Sequence, residues 1–159
     1  MYRLIVWYYR FFDRSWRRPV DLKSADDGSD KSSSWNQRIG DIGEDLARRW
    51  MWAHGMKVLY RQYVANGGGE VDIVARHGEV LIFCEVKTRT SRQFGRPADA
   101  VDQEKQKLIT RGAHAWIREL GYTPLLFRFD IIEVNLTEGE IAEINHIENA
   151  FKSAPRLLA

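Results

Sequence analysis

The chain has 159 residues, 24 Lys and Arg against 22 Asp and Glu, and a formal net charge of +2. That length supports one domain with a proper core, and the balanced charge excludes a global polycation, so any nucleic-acid affinity has to come from a local basic patch. The single cysteine, Cys84, excludes an internal disulfide and a cysteine-rich zinc site; it fits a reducing compartment and a cytoplasmic protein, most simply as a small core residue.

Residues 1–34 differ in composition from the rest and read as a flexible N-terminal extension, followed by a domain over 35–152 and a short tail over 153–159. Residues 1–12 are aromatic and apolar but fall short of the ~20 residues that a spanning helix requires. Trp, Tyr and flanking Arg leave an interfacial membrane anchor open as an alternative. A Ser/Asp/Lys-rich run over 24–34 reads as linker.

From 35 to 54 the spacing predicts a helix, with Ser34 as N-cap and Gly55 as stop. Trp35, Ile39, Ile42, Leu46, Trp50 and Ala53 form its apolar stripe. Gly40, Gly43, Ala47 and Met51 make a small-residue shoulder that another backbone could approach. Glu44 lies at the edge of that shoulder, away from the outward charges, and is either a rim carboxylate or part of a site over the sheet. Residues 57–64 read as a strand, and Asn66-Gly67-Gly68-Gly69 as a turn.

The stretch 69–89, G-E-V-D-I-V-A-R-H-G-E-V-L-I-F-C-E-V-K-T-R, reads as a β-hairpin turning at His77-Gly78. In that register Asp72 faces Phe83 and Glu70 faces Glu85, so Glu70, Asp72, Glu85 and Lys87 project to one side. Two nearby carboxylates repel unless a cation compensates, and a hard divalent ion such as Mg²⁺ favours such oxygens. The plainer alternative is a solvated face with a Glu–Lys pair.

Residues 90–98 read as loop, where Arg89, Arg92 and Arg96 form a basic cluster that either grips phosphates or keeps the loop soluble. A second helix is expected over 99–120, stopping at Gly121. Its apolar arc holds Val101, Leu108, Ile109, Ala113, Ala115, Trp116 and Leu120. Lys105 falls inside that arc, so it either snorkels or meets an anion, the favoured placement being the cleft that holds Glu85. Strands follow over 124–134 and 141–147, joined by a turn at 137–139. Arg128 and residues 138–145 read as ordinary exposed positions, and none of the four His residues has a partner at ligand spacing.

The combination I-G-D-I-G-E-D-L-A (39–47), G-E-V-D-I-V-A (69–75), F-C-E-V-K-T-R (83–89), F-G-R-P (94–97), Lys105, F-D-I-I-E-V (129–134) and H-I-E-N-A-F (146–151) resembles the YraN-like family of endonuclease-like proteins. That family is similar to archaeal Holliday-junction resolvases within the PD-(D/E)xK superfamily. The resemblance spans residues 38–151. It implies an α/β, restriction-endonuclease-like core, α-β-β-β-α-β-β, with a mixed sheet flanked by helices. It further implies a Mg²⁺- or Mn²⁺-dependent nuclease acting on DNA, branched or damaged DNA included. Asp72 and Glu85 become metal ligands, Glu44 the helix acid completing the site, and Lys87 the lysine that orients water or offsets charge. Arg89, Arg92, Arg96 and Lys105 become phosphate contacts. Analogy with junction-type enzymes of this fold adds a homodimer. The sequence departs from the family pattern at Gln62, in place of Asn, at Cys84, in place of Val, and in lacking a Pro before Asp72. The competing reading is a nucleic-acid-binding module of the same fold without turnover.

Overall fold

The computed structural model describes residues 17–22, 32–90, 101–121 and 126–152. Two helices and five strands follow in the order α1 (Ser32–Ala53), β1 (Lys57–Val64), β2 (Glu70–His77), β3 (Val80–Arg89), α2 (Gln103–Glu119), β4 (Leu126–Asn135) and β5 (Glu143–Phe151). The strands form one mixed sheet in the order β1-β2-β3-β4-β5. This is the expected α-β-β-β-α-β-β arrangement of a restriction-endonuclease-like core.

Helix α1 begins at Ser32, so Ser34 lies within it rather than capping it. Its end is as expected: Gly55 has φ +96°. The Gly55 N–H donates to the Trp52 carbonyl at 3.1 Å, and the Met56 N–H to the Met51 carbonyl at 2.9 Å. That pair of bonds is the Schellman motif, which satisfies carbonyls a helix end would leave open. Helix α2 starts four residues later than the spacing suggested. Asp102 is its N-cap and accepts the Lys105 N–H at 2.8 Å, while Gly121 at φ +80° ends it. Asp102 itself has an extended backbone, and its side chain takes up a first-turn N–H, which sets the start of the helix there.

The hairpin turn is Gly78-Glu79, one residue later than the sequence reading placed it. His77 pairs with Val80 and Ile73 with Cys84 in an antiparallel ladder. Gly78 has φ +60°, and Glu79 is not among the positive-φ residues. That pattern puts glycine at the first central position, as a type II′ turn requires. The shift keeps the facing parity but changes partners: the ladder ends at Ile73 and Cys84, and one further step in the same register would set Asp72 against Glu85 rather than Phe83.

Contacts divide the chain into two compact units. The first contains α1, the last residues of β3 and the stretch Ile132–Asn145. Along α1 the small-residue shoulder is the buried face: Gly43, Ala47 and Met51 are buried, whereas Ile42, Leu46 and Trp50 are only half-buried. A Cβ built on Gly43 would lie 1.8 Å from Thr88 Oγ1, so α1 and β3 approach more closely there than a side chain allows. Val20 is buried in this unit and exchanges backbone bonds with the β4–β5 turn. Its N–H donates to Glu140 O, and its carbonyl accepts from Gly139 N–H, both at 2.8 Å.

The second unit contains β1, β2, most of β3, α2, the first half of β4 and the end of β5. Its core gathers Tyr63, Val71, Val74, Leu81, Phe83, Ile109, Ala113, Phe129 and Ile131, with Trp116, Phe127 and Phe151 packed against them. Helix α2 lies on β2. Cys84 is free and buried. Among the described residues no helix is long and apolar enough to cross a membrane. The aromatic segment 1–12 and the tail 153–159 lie outside the described residues.

Candidate functional site

Strand β3 is buried on both faces from Leu81 to Cys84, and the next residue, Glu85, is buried as deeply at 2% exposure. A carboxylate at such a position costs several kcal/mol unless a positive charge meets it. Lys105 is that charge. Its Nζ lies 3.4 Å from Glu85 Oε1 and also forms an ion pair with Glu70 Oε1. Of the two readings open for a lysine on the apolar arc of α2, meeting an anion is therefore the one realised.

Two glycines make that reach possible. A Cβ on Gly69 would come within 2.5 Å of the Gly112 backbone nitrogen, and one on Gly112 within 3.1 Å of the Glu70 nitrogen. Helix α2 thus rests directly on the start of β2. Lys105 stands seven residues, about two turns, before Gly112 on the same stripe, which aims its side chain along the sheet toward Glu85. Burial pulls the Lys105 pKa down, but the hydrogen bond it donates to Glu70 and the charges of Glu85, Asp72 and Glu70 outweigh it, and the net shift is upward. Three carboxylates act on one ammonium.

Asp72 is half-buried and Glu70 exposed, so the polarity of this cluster rises from β3 outward. Asp72, Glu85 and Lys105 belong to one unit, and both carboxylates act on the lysine. Glu70, which the sequence reading placed on the right face but gave no role, is the closest partner of Lys105. Lys87 is half-buried two residues beyond Glu85, and strand alternation keeps it on the same face of β3. Glu44 is half-buried on α1, next to Gly43 and its approach to Thr88. Arg89 ends β3, and its carbonyl accepts the Leu136 N–H at 2.8 Å. Arg92 and Arg96 lie outside the described residues.

The carboxylates of Asp72 and Glu85 are hard oxygen donors of the kind a divalent ion takes. Among the described residues no group of three or more His, Cys, Asp or Glu side chains is gathered to hold a metal.

A second charged cluster escaped the sequence reading, which had taken Arg128 as exposed and found no partner for His146 at metal-ligand spacing. Asp130, fully buried in β4, accepts from Arg128 Nε at 3.1 Å and from the Asn149 N–H at 3.0 Å. His146 Nε2 lies 2.8 Å from its Oδ2, and Arg128 also reaches Glu148 at 2.8 Å. The signal was available: Asp130 interrupts F-x-I-I, a run too apolar for an unsatisfied acid. Asn149 has φ +51°, which an Asn tolerates and which turns its N–H toward Asp130. Gln62 likewise has φ +50°, so the site where relatives were expected to carry Asn is a left-handed one that Gln occupies less comfortably.

Sequence comparisons agree with this architecture. The model of the uncharacterised protein family UPF0102 matches residues 43–134. A UPF0102 protein of Parafrankia sp. (strain EAN1pec) is 40% identical over 116 residues, covering 73% of this chain and 98% of the relative. One from Geobacter metallireducens is 40% identical over 119 residues, covering 75% and 96%. One from Trichlorobacter lovleyi is 44% identical over 120 residues, covering 75% and 94%. The match includes the helix acid, the β2–β3 hairpin, Lys105 and most of β4, and the chain belongs to the uncharacterised protein family UPF0102.

Proposed function

We propose that this chain is a divalent-metal-dependent nuclease that hydrolyses phosphodiester bonds in DNA. The observation that carries the reading is the gathering of Asp72, Glu70 and the buried Glu85 around the Lys105 ammonium, on adjacent strands whose register leads Asp72 toward Glu85. A purely structural hairpin has no use for such carboxylates at the edge of its core. Asp72 and Glu85 would hold Mg²⁺ or Mn²⁺, and resemblance to PD-(D/E)xK nucleases adds Glu44 as the helix acid. When bound, the ion supplies Lewis acidity toward a phosphoryl oxygen and a more acidic water.

The residues of the chain supply the rest. Lys87 offers a fixed cation where charge develops on phosphorus. Lys105 sets a compensating positive charge beside Glu85 and Glu70. Arg89, with Arg92 and Arg96, would grip flanking phosphates. The buried, free Cys84 goes with a cytoplasmic setting, and a homodimer is the assembly suggested by analogy with junction-type enzymes.

The test is a panel of branched, single-stranded and duplex DNA incubated with Mg²⁺ and Mn²⁺. Asp72→Asn and Glu85→Gln should each remove metal-dependent cleavage while leaving far-UV circular dichroism unchanged. Cleavage at the wild-type rate in either variant defeats the mechanism. One observation favours a second reading, a DNA-binding module without turnover: Lys105 already compensates the acids from within the chain. Calorimetric titration with Mn²⁺ separates the two, since the binder predicts no uptake at Asp72 and Glu85.

A further inference from the structure

Tyr60, on the edge strand β1, is 50% exposed, whereas Tyr63 on the same strand is 7% exposed. Strand alternation sends residues three apart to opposite faces, yet both rings meet Trp116 of α2. The Trp116 centroid lies 5.0 Å from that of Tyr63 and 5.3 Å from that of Tyr60, and the two tyrosines are 6.0 Å apart. Gln62 reconciles these facts: its φ of +50° breaks the alternation between the two tyrosines, at a residue type that seldom takes that conformation.

The three rings have different settings. The Tyr63 hydroxyl donates to Glu119 Oε1 at 2.6 Å, which ties β1 to the end of α2. Trp116 Nε1 is buried and has no acceptor among the described residues, so the indole contributes its ring rather than a hydrogen bond. Tyr60 leans on these two and keeps half of its surface open to solvent. A braced aromatic ring with an open side is what a nucleobase stacks on. Arg118, exposed in the last turn of α2, is near enough for its charge to act on the Tyr63 phenol.

Charge selects the occupant. The charged residues of β1, Lys57 and Arg61, are both basic, and Glu119, the acid beside the cluster, is taken up by Tyr63. A second copy of the chain docked edge to edge would set like charges together, and the left-handed backbone at Gln62 interrupts the ladder that such pairing needs. An anionic strand with flat apolar bases meets neither obstacle. In a duplex those bases are stacked on one another, so the matching partner is an unpaired strand.

We propose that Tyr60 stacks an unpaired base of a DNA strand, with Trp116 and Tyr63 bracing the ring and Arg118 drawing the adjoining phosphate. Trp116 follows Lys105 by about three turns of α2, roughly 16 Å. The substrate class of the proposed nuclease is then DNA with an unpaired stretch a few nucleotides from the bond that is cut. The choice of DNA and the link to cleavage rest on that reading; the stacking itself does not.

The experiment measures fluorescence anisotropy of a short labelled oligo-dT titrated with the full chain in EDTA, beside a blunt duplex and an oligo-rU of equal length. Oligo-dT should bind more tightly than the duplex by about tenfold, the scale of one stacked base. Tyr60→Ala should remove that advantage with far-UV circular dichroism unchanged. Tyr60→Phe should keep it, since the ring and not the hydroxyl stacks. Arg118→Gln should lower the slope of log affinity against log salt for oligo-dT by about 0.7. Unchanged oligo-dT affinity in Tyr60→Ala overturns the proposal, as does an equal loss in Tyr60→Phe. Tighter binding of oligo-rU overturns the choice of DNA. A wild-type dimer in sedimentation that Tyr60→Ala dissociates would make β1 an interface between copies, and overturns it too. Because the assay is metal-free and reads binding, failure here leaves cleavage of duplex DNA standing, and an absence of cleavage leaves the stacking standing.

Discussion

Asp130 sits between Phe129 and Ile131, both buried, with no access to water. Its charge is tolerated because Arg128, the Asn149 N–H and His146 surround it. Removing the acid alone would leave Arg128 Nε, the Asn149 N–H and His146 Nε2 without their buried acceptor, with Arg128 held only by Glu148 at the surface. Asp130→Ala is therefore expected to lose about 3–5 kcal/mol of stability, read from urea unfolding midpoints; a loss under 1 kcal/mol would show that β5 is held by other means. Tyr63 offers a pH test at the same scale. Burial first, and then the hydrogen bond to Glu119 at 2.6 Å, push its phenol up to about 12. An acid whose folded pKa is raised keeps its proton in the native state after the unfolded chain has lost it. The stabilisation is thus complete below about pH 10 and is lost as pH rises toward 12. Tyr63→Phe should flatten the decline of stability over that window relative to the wild type, measured by urea titration at matched pH values.

Helix α1 presents two glycines one turn apart in opposite circumstances, which allows a matched comparison. At Gly43 an added methyl would overlap Thr88, whose Cβ lies only 2.8 Å from the built Cβ. Gly43→Ala should therefore cost about 1–3 kcal/mol through overpacking. Gly40→Ala adds helix propensity against empty space and should gain roughly 0.5–1 kcal/mol. Thermal midpoints of the two variants moving in the same direction would contradict this account of how α1 docks on β3. The outer face of α1 contributes less. Asp45 pairs with Arg48 at 2.8 Å and Arg49 at 2.6 Å, surface pairs worth about 0.3–0.5 kcal/mol each. Burial raises the Asp45 pKa, and the two arginines lower it by more.

For the molecule as a whole, the proposed metal binding at Asp72 and Glu85 would be linked to folding. Asp72 and Glu85 come together only once the β2–β3 ladder has formed, so an ion held by both binds the native chain and not the unfolded one. Mn²⁺ at 100 times its dissociation constant should then raise unfolding stability by about 2.7 kcal/mol. Asp72→Asn should remove that increment, and an unchanged midpoint in the wild type at millimolar Mn²⁺ would argue against a two-carboxylate site. The described part of the N-terminal stretch also belongs to the folded molecule: Pro19 and Val20 bridge to Ile141 and Glu138, and the Leu22 N–H donates to Glu138 at 2.6 Å.

Local chemistry determined what could be read without coordinates. Hydrophobic period and stop signals define the order of elements, Gly55 and Gly121 end the two helices, and alternation puts Asp72, Glu85 and Lys87 on one side of a hairpin. A lysine on an apolar arc narrowed Lys105 to two placements, snorkelling out or meeting an anion. Tertiary structure decided everything that depends on two separate segments meeting. It settled which of two adjacent residues opens the hairpin turn, and hence that the register leads Asp72 toward Glu85 rather than Phe83. It also settled that Glu70 shares Lys105, that Gly112 lets α2 rest on β2, and that Asp130 collects Arg128 and His146 across strands. The division has one cause: periodicity and capping act through neighbours a few residues apart, whereas a buried charge is satisfied by whichever group the packing delivers to it.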